Sequence, residues 1–235
     1  MTNQLHLQYI TSLSATEWNT WRQKNPQIVP DLRKADLSRL NLSNFNLKEA
    51  NLIEVDLSQA TLIKTNLSKA SLSKANFTRV YSRDANVSLA NLQDANFFGA
   101  YFTGADFSRS CLSGANFQEA NCSDSFFITS DLTYANLSRG IFRGVSFMEA
   151  NLNNADLKET ALNQGDFTLA KAYNSDFSKA TLTNIIIEDW KINNQTKFNL
   201  VICDHLFLRS QQRISSDNQI FPDTAKFLEF AVNTH

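Results

Sequence analysis

The residues of this 235-residue chain best suited to nucleophilic, acid–base or metal chemistry are three histidines and three cysteines. His6, His205 and His235 do not cluster, and two of them lie in the tails. Cys111, Cys122 and Cys203 show no metal-ligand spacing with the histidines. No Gly-rich loop is present to cradle a phosphate. The many Asp residues alternate with Asn at equivalent positions, so they read as occupants of a structural slot rather than as paired catalytic acids. The chain is therefore expected not to be an enzyme, and no cofactor and no metal is assigned. A different chemistry stands out. Tyr81, Tyr101, Phe126, Ile128, Ile141 and Met148 are large apolar side chains that periodicity places on the outside, with Arg83 and Arg143 beside them. A contiguous apolar and aromatic surface flanked by Arg has the make-up of a protein-contact surface.

What must position these residues is a strict five-residue rhythm. From Leu37 through Leu52, Leu72, Phe97, Phe117 and Phe177 to Leu182, 26 of the 30 positions in the series are Leu or Phe. A small residue, usually Ala, stands two before each, with Asn or Asp often between, as in Ala50-Asn51-Leu52 and Ala105-Asp106-Phe107. A period of five matches neither an α-helix nor an ordinary strand. A helix would smear its Leu residues over every face, among Asn, Asp and Ser that disfavour helix interiors. Units this short cannot bury an apolar face alone and must stack on their neighbours. The consistent solution is a square coil of four sides and 20 residues per turn, with the large and small residues inward and backbone groups paired between coils.

Sorting by 20 gives four ladders. Side A carries Leu37, Leu57 and Phe77 onward, side B Leu42, Leu62 and Ser82, side C Leu47, Leu67 and Val87, and side D Leu52, Leu72 and Leu92. Phenylalanines recur along a ladder, as ring stacking between coils favours. Proline is absent from 31 to 221, as expected where N–H groups must pair. Gly99, Gly104, Gly114 and Gly144 all stand two residues after a centre, where a corner calls for positive φ. On side A every centre is preceded by Asn or Asp, from Asp36 to Asp176, which suits bonding to the corner backbone. On sides B and C that slot instead holds Tyr81, Tyr101, Ile141 and Phe126.

The motif Ala50-Asn51-Leu52-Ile53-Glu54 resembles the pentapeptide-repeat proteins, over about two thirds of the chain. The resemblance implies an all-β fold, a right-handed quadrilateral β-helix, and binding rather than catalysis. The flanks resemble cyanobacterial members. Trp18-Asn19-Thr20-Trp21-Arg22, Asn25-Pro26 and Pro30-Asp31-Leu32 look like their leader; Glu188-Asp189-Trp190 and Val201-Ile202-Cys203-Asp204 look like the segment that closes their arrays.

The expected organisation is a helical cap over residues 1–30, the repeat array over 31–187, and an irregular final coil with a helical cap over 188–235. A helix from Leu13 to Lys24 follows from the capping box of Ser14 and Glu17 and from the stop at Asn25-Pro26. Arg209 to Asn218 reads as a polar loop, and Pro222-Asp223 as the start of a short helix bearing Phe227, Leu228 and Phe230. No apolar run reaches the roughly 18 residues of a membrane span, and no signal peptide is seen. With three thiols expected to be reduced, the expected setting is the cytoplasm.

The net charge is −1, which argues for neither nucleic acid nor an acidic substrate. Within the family so resembled, some members imitate DNA and inhibit topoisomerases such as gyrase, and some cyanobacterial members modulate cell differentiation through a transcription factor. Charge separates the two. The outermost repeat positions from 37 to 182 carry acids at 49, 54, 84, 94, 119, 124, 149 and 159, eight in all. They carry twelve bases: Arg39, Lys48, Lys64, Lys69, Lys74, Arg79, Arg83, Arg109, Arg139, Arg143, Lys158 and Lys179. That is the wrong sign for a phosphate backbone, and the bases form no stripe for nucleic acid. The expectation is a non-enzymatic scaffold or regulator that binds another protein, as a monomer or weak dimer, with the DNA-mimic inhibitor as the alternative.

Overall fold

A computed structural model describes residues 3–209 and 212–232. From Asp31 the chain winds as a four-sided coil. Asp31 bridges Asn51 in parallel, Asp36 bridges Asp56, Asn41 bridges Thr61 and Asn46 bridges Asn66, each partner 20 residues on. The pattern repeats without slippage as far as Lys171 and Lys191, then lengthens by one residue at Asp176–Lys197 and Thr181–Ile202.

Each side follows one set of bonds. The centre N–H of Leu62 donates to the Tyr81 carbonyl at 2.9 Å, Tyr81 N–H donates back to the Ala60 carbonyl at 3.0 Å, and Lys64 N–H donates to the Arg83 carbonyl at 2.8 Å. A tight turn follows, closed by bonds such as Ala50 N–H to the Leu47 carbonyl at 3.1 Å. Positive φ is a property of almost every corner and not of the glycines alone: Arg39, Glu54, Lys74 and Tyr134 have φ of 60°, 57°, 58° and 59°. An L-residue is disfavoured there, but each such N–H is paired to the next coil, as Arg39 is to the Ser58 carbonyl. The expected Asx bonds form on side A, where the side-chain oxygens of Asp36, Asn76, Asn116 and Asp176 accept from the N–H two residues on at 3.0 to 3.1 Å, and they recur on the other sides, as at Asn41, Asn46 and Asp131.

The interior is a column of stacked side chains. Leu112, Phe117, Phe127 and Leu132 are fully buried, as are the small partners Ala115 and Ala120. Phe97 lies between Phe77 and Phe117 with ring centroids 4.6 and 4.3 Å apart and rings parallel within 3°. At about 1.5–3 kcal/mol gross for each buried Leu or Phe, this column is the main driving term, set against backbone ordering.

Both ends carry helices. Helix α1 (Gln4–Ser12) was not evident from periodicity; α2 (Ala15–Lys24) starts two residues later than the expected Leu13, with the Ser14–Glu17 capping box formed. Two strands occur inside the array, β1 (Tyr81–Arg83) and β2 (Tyr101–Thr103), paired in parallel. At the far end β3 (Ile185–Ile186) pairs with β4 (Val201–Arg209), which pairs antiparallel with β5 (Gln212–Phe221). The polar loop expected from Arg209 to Asn218 is thus corrected: most of it is strand, because an adjacent strand offers a pairing partner that local polarity does not reveal. Helix α3 (Thr224–Val232) then covers the end, with Phe227 stacked on Phe198 at 4.5 Å.

Candidate functional site

Side B places Tyr81 and Tyr101 one above the other, because each stands one residue before its centre and 20 residues separate them. Their ring centroids are 6.5 Å apart, and both are 52% exposed. Neither contributes to the core; the inward residues of those strands are Ser82 and Phe102, both fully buried. The Ser82 hydroxyl donates to the Leu62 carbonyl at 3.2 Å, which satisfies a polar centre in a Leu/Phe ladder.

The other expected residues fall into place unevenly. Ile141 is exposed and lies on the same side, but Asn121 separates it from Tyr101 in the ladder. Phe126 is exposed at the matching position of side C, in the coil that holds Asn121. Ile128 and Met148 are half-buried rather than open. Arg83 is exposed with its guanidinium 3.7 Å from Asp84, and Arg143 is exposed. The group is a strip on side B and a second around the corner on side C, not a concave pocket. None of the described C-terminal residues covers the exposed Tyr81, Tyr101, Phe126 or Ile141.

Further exposed aromatic residues lie away from this group. Tyr134, 69% exposed, and Tyr173 lie on side D. Their outward repeat positions were legible, but they stand apart from the strip on side B.

The titratable groups favour structure over reaction. All three cysteines are free. Burial raises the Cys122 thiol far above its ordinary range, and burial followed by the Asp204 charge pushes Cys203 up to about 12. Neither is a thiolate nucleophile at neutral pH. His205 Nδ1 lies 2.7 Å from the Asp204 carboxylate beside the hairpin. Among the described residues no group of three or more His, Cys, Asp or Glu could hold a metal ion. No helix of the described residues is long and apolar enough to cross a membrane. On side A the charges pair along the axis, Arg139 and Lys179 both reaching Glu159 at 3.3 and 3.4 Å. Such exposed pairs contribute little to stability.

A closed, side-chain-filled coil with convex decorated sides defines a repeat scaffold of the β-helix class. Eight copies of the pentapeptide-repeat pattern match residues 31–68, 41–79, 83–114, 110–147 and 150–189. The chain belongs to the pentapeptide-repeat family, and its fold is the right-handed quadrilateral β-helix. Among solved structures it is similar to HetL, a pentapeptide-repeat protein involved in heterocyst differentiation regulation from the cyanobacterium Nostoc sp. strain PCC 7120. That match has 21% identity and a TM-score of 0.56, and covers 86% of this chain and 98% of HetL. QnrB1, a plasmid-mediated fluoroquinolone resistance protein, matches at 18% identity and TM-score 0.42 over 68% of this chain and 88% of its own. Rfr23 from the cyanobacterium Cyanothece 51142 matches at 18% identity and TM-score 0.31 over 79% and 100%. A search of curated protein sequences returns no match.

Proposed function

We propose that this chain is a non-enzymatic, protein-binding regulator that acts through the outer surface of sides B and C, centred on Tyr81 and Tyr101 with Arg83, Phe126, Ile128, Ile141, Arg143 and Met148 around them. The observation that carries the reading is the Tyr81–Tyr101 pair: two aromatic rings 6.5 Å apart, half exposed, on a backbone held rigid by the coils above and below. Rigid aromatic anchors lose little freedom on binding, and Tyr and Arg are enriched at energetic centres of interfaces. HetL is named for a part in differentiation regulation, and a factor controlling transcription or differentiation is the kind of partner proposed here.

The test is retention of a partner from native cell extract on the immobilised wild-type chain and on two variants, Tyr81→Ala with Tyr101→Ala, and Phe126→Asp with Met148→Asp. Each is expected to weaken the partner contact by about 2 kcal/mol or more. Gln118→Ala on side A is the control and should leave it intact. Equal losses from both sides would sink the assignment.

A further inference from the structure

The first coil has a raw upper edge, and its four sides are finished differently. On side D, helix α1 supplies the missing partners: Asn3 N–H donates to the Asp31 carbonyl at 3.1 Å, and Asp31 N–H donates to His6 Nδ1 at 3.0 Å. On side C, α2 does so: Trp18 Nε1 donates to the Asn46 carbonyl, Asn46 N–H donates to the Asn19 side chain, and Arg22 donates to the Lys48 carbonyl, at 2.7 to 2.8 Å. On sides A and B nothing does; the Asp36 N–H and the Asp36 and Ser38 carbonyls of side A have no partner among the described residues, and it is side B that carries a cleft beside its bare edge. Among the described residues the Asn41 N–H, the Asn41 carbonyl and the Ser43 carbonyl have no hydrogen-bond partner. They line a cleft of about 240 Å³ between the α1–α2 junction and the coil, walled by Ile10, Leu13, Leu40 and Phe45. The cleft is half-open, and Thr11, Ser14 and Ser43 share its lining; Ile10, Leu42 and Phe45 at its base are already buried.

We propose that this edge is a second binding site, one that accepts a short extended peptide segment as an added strand parallel to residues 40–44. The occupant follows from the ladder itself. One level down, Leu42 N–H donates to the Thr61 carbonyl, Thr61 N–H donates to the Leu40 carbonyl, and Asn44 N–H donates to the Ile63 carbonyl. Transposed upward, the N–H of a large central residue meets the Asn41 carbonyl. The carbonyl of a small residue two before it meets Asn41 N–H, and the N–H two after it meets the Ser43 carbonyl. The central side chain then enters the half-open cleft beside the buried Leu42, as main-chain pairing plus one side-chain pocket directs in other strand additions.

Charge sets one more position. Corner residues 20 apart pair along the axis, Lys34 with Glu54 at 3.3 Å and Glu49 with Lys69 at 3.7 Å. Arg39 is the corner leading into side B, and it forms no ion pair among the described residues. An acidic residue just before the small one would lie over it. The partner chemistry is therefore an extended protein segment of the form acid–small–x–large–x–x.

The experiment measures fluorescence anisotropy of a fluorescein-labelled peptide, Glu-Ala-Asn-Leu-Asn-Asn between Gly-Ser flanks, titrated with the full chain. Saturable micromolar binding is expected. Replacing the peptide's Leu by N-methyl-Leu puts a methyl group in place of the N–H that meets the Asn41 carbonyl and should weaken binding about tenfold. In Arg39→Glu, the peptide with Lys in place of Glu should become the better ligand, by about threefold. Tyr81→Ala with Tyr101→Ala should bind the peptide as the wild type does, which separates this site from the surface proposed above. Equal affinity for the N-methyl peptide, or absence of saturable binding by a chain whose circular dichroism is that of the folded protein, would overturn the proposal. So would a wild-type dimer in sedimentation equilibrium that Ser43→Trp abolishes, since the occupant would then be a second copy of the chain.

Discussion

Gly104 lies over Asp84, one coil apart at the same corner, and a β-carbon at Gly104 would stand 2.8 Å from Asp84 Oδ1. The relationship recurs: Gly114 lies over Asp94 and Gly144 over Asp124, where the added β-carbon would come to 2.5 Å. Long corner side chains such as Lys34 and Glu54 extend far enough to pair along the axis. A short Asp holds its carboxylate where the next corner's β-carbon would go, and the next corner is Gly.

Gly114→Ala is accordingly expected to cost about 1–2 kcal/mol from its φ of 70°, with the contact to Asp94 added. Asp94→Ser should recover the contact part in the double variant, as a coupling in a denaturant-unfolding cycle. Strict additivity would show that the Asp–Gly stacking carries no energy.

Leu112 is fully buried in the middle of the side D ladder. Leu112→Ala should lose about 2–5 kcal/mol, because coils held above and below by backbone bonds cannot close the cavity. A measured loss under about 1 kcal/mol would contradict the packing described.

Trp18 is fully buried and bonded to the Asn46 carbonyl. Trp18→Phe keeps most of the packing but strands that carbonyl, for an expected cost of about 1–3 kcal/mol. Amide exchange at Asn46, whose N–H is held by Asn19 on the same helix, should accelerate first. Protection unchanged at Asn46 while the distant coils weaken would argue against α2 as the cap of side C.

His6 is 7% exposed and accepts the Asp31 N–H at Nδ1. Burial, assisted by the Arg22 charge and opposed by Asp31, lowers its pKa below the ordinary 6.5. The unfolded chain therefore takes up this proton first as pH falls. The stabilisation is whole above pH 6.5 and is lost as pH drops from there through the folded pKa. His6→Ala should flatten the dependence of stability on pH over that window. An identical slope in wild type and variant would remove His6 from the linkage.

The surface variants offer the opposite signature. Tyr81 and Tyr101 are half exposed and lie outside the core cluster. Changing both to Ala should leave the melting temperature within a few degrees of the wild type, and a collapse of the fold would show them to be structural.

Much of this was legible from the residues in order. Knowing that Leu37 is a centre places Leu112 inside, Asp36 at a corner bond and Tyr81 outside, with no further information. Positive φ at the corners was legible in Gly99, Gly104, Gly114 and Gly144; Arg39 and Lys74 adopt the same backbone, because a paired N–H at each corner offsets the cost of the conformation.

The periodicity determined the array by itself, since a five-residue repeat on a four-sided coil assigns every residue a side, a level and a direction from its number alone. The ends have no period. Trp18 reaches Asn46 across 28 residues, and Val201 pairs with Phe221 in a hairpin whose polar second strand does not advertise it. Those contacts depend on which edge atoms the first and last coils leave without partners, and that is known only once the coils have stacked. The same is true of the open edge at Asn41: its N–H and carbonyl are ordinary in sequence, and the placement of α1 on side D and α2 on side C leaves them bare.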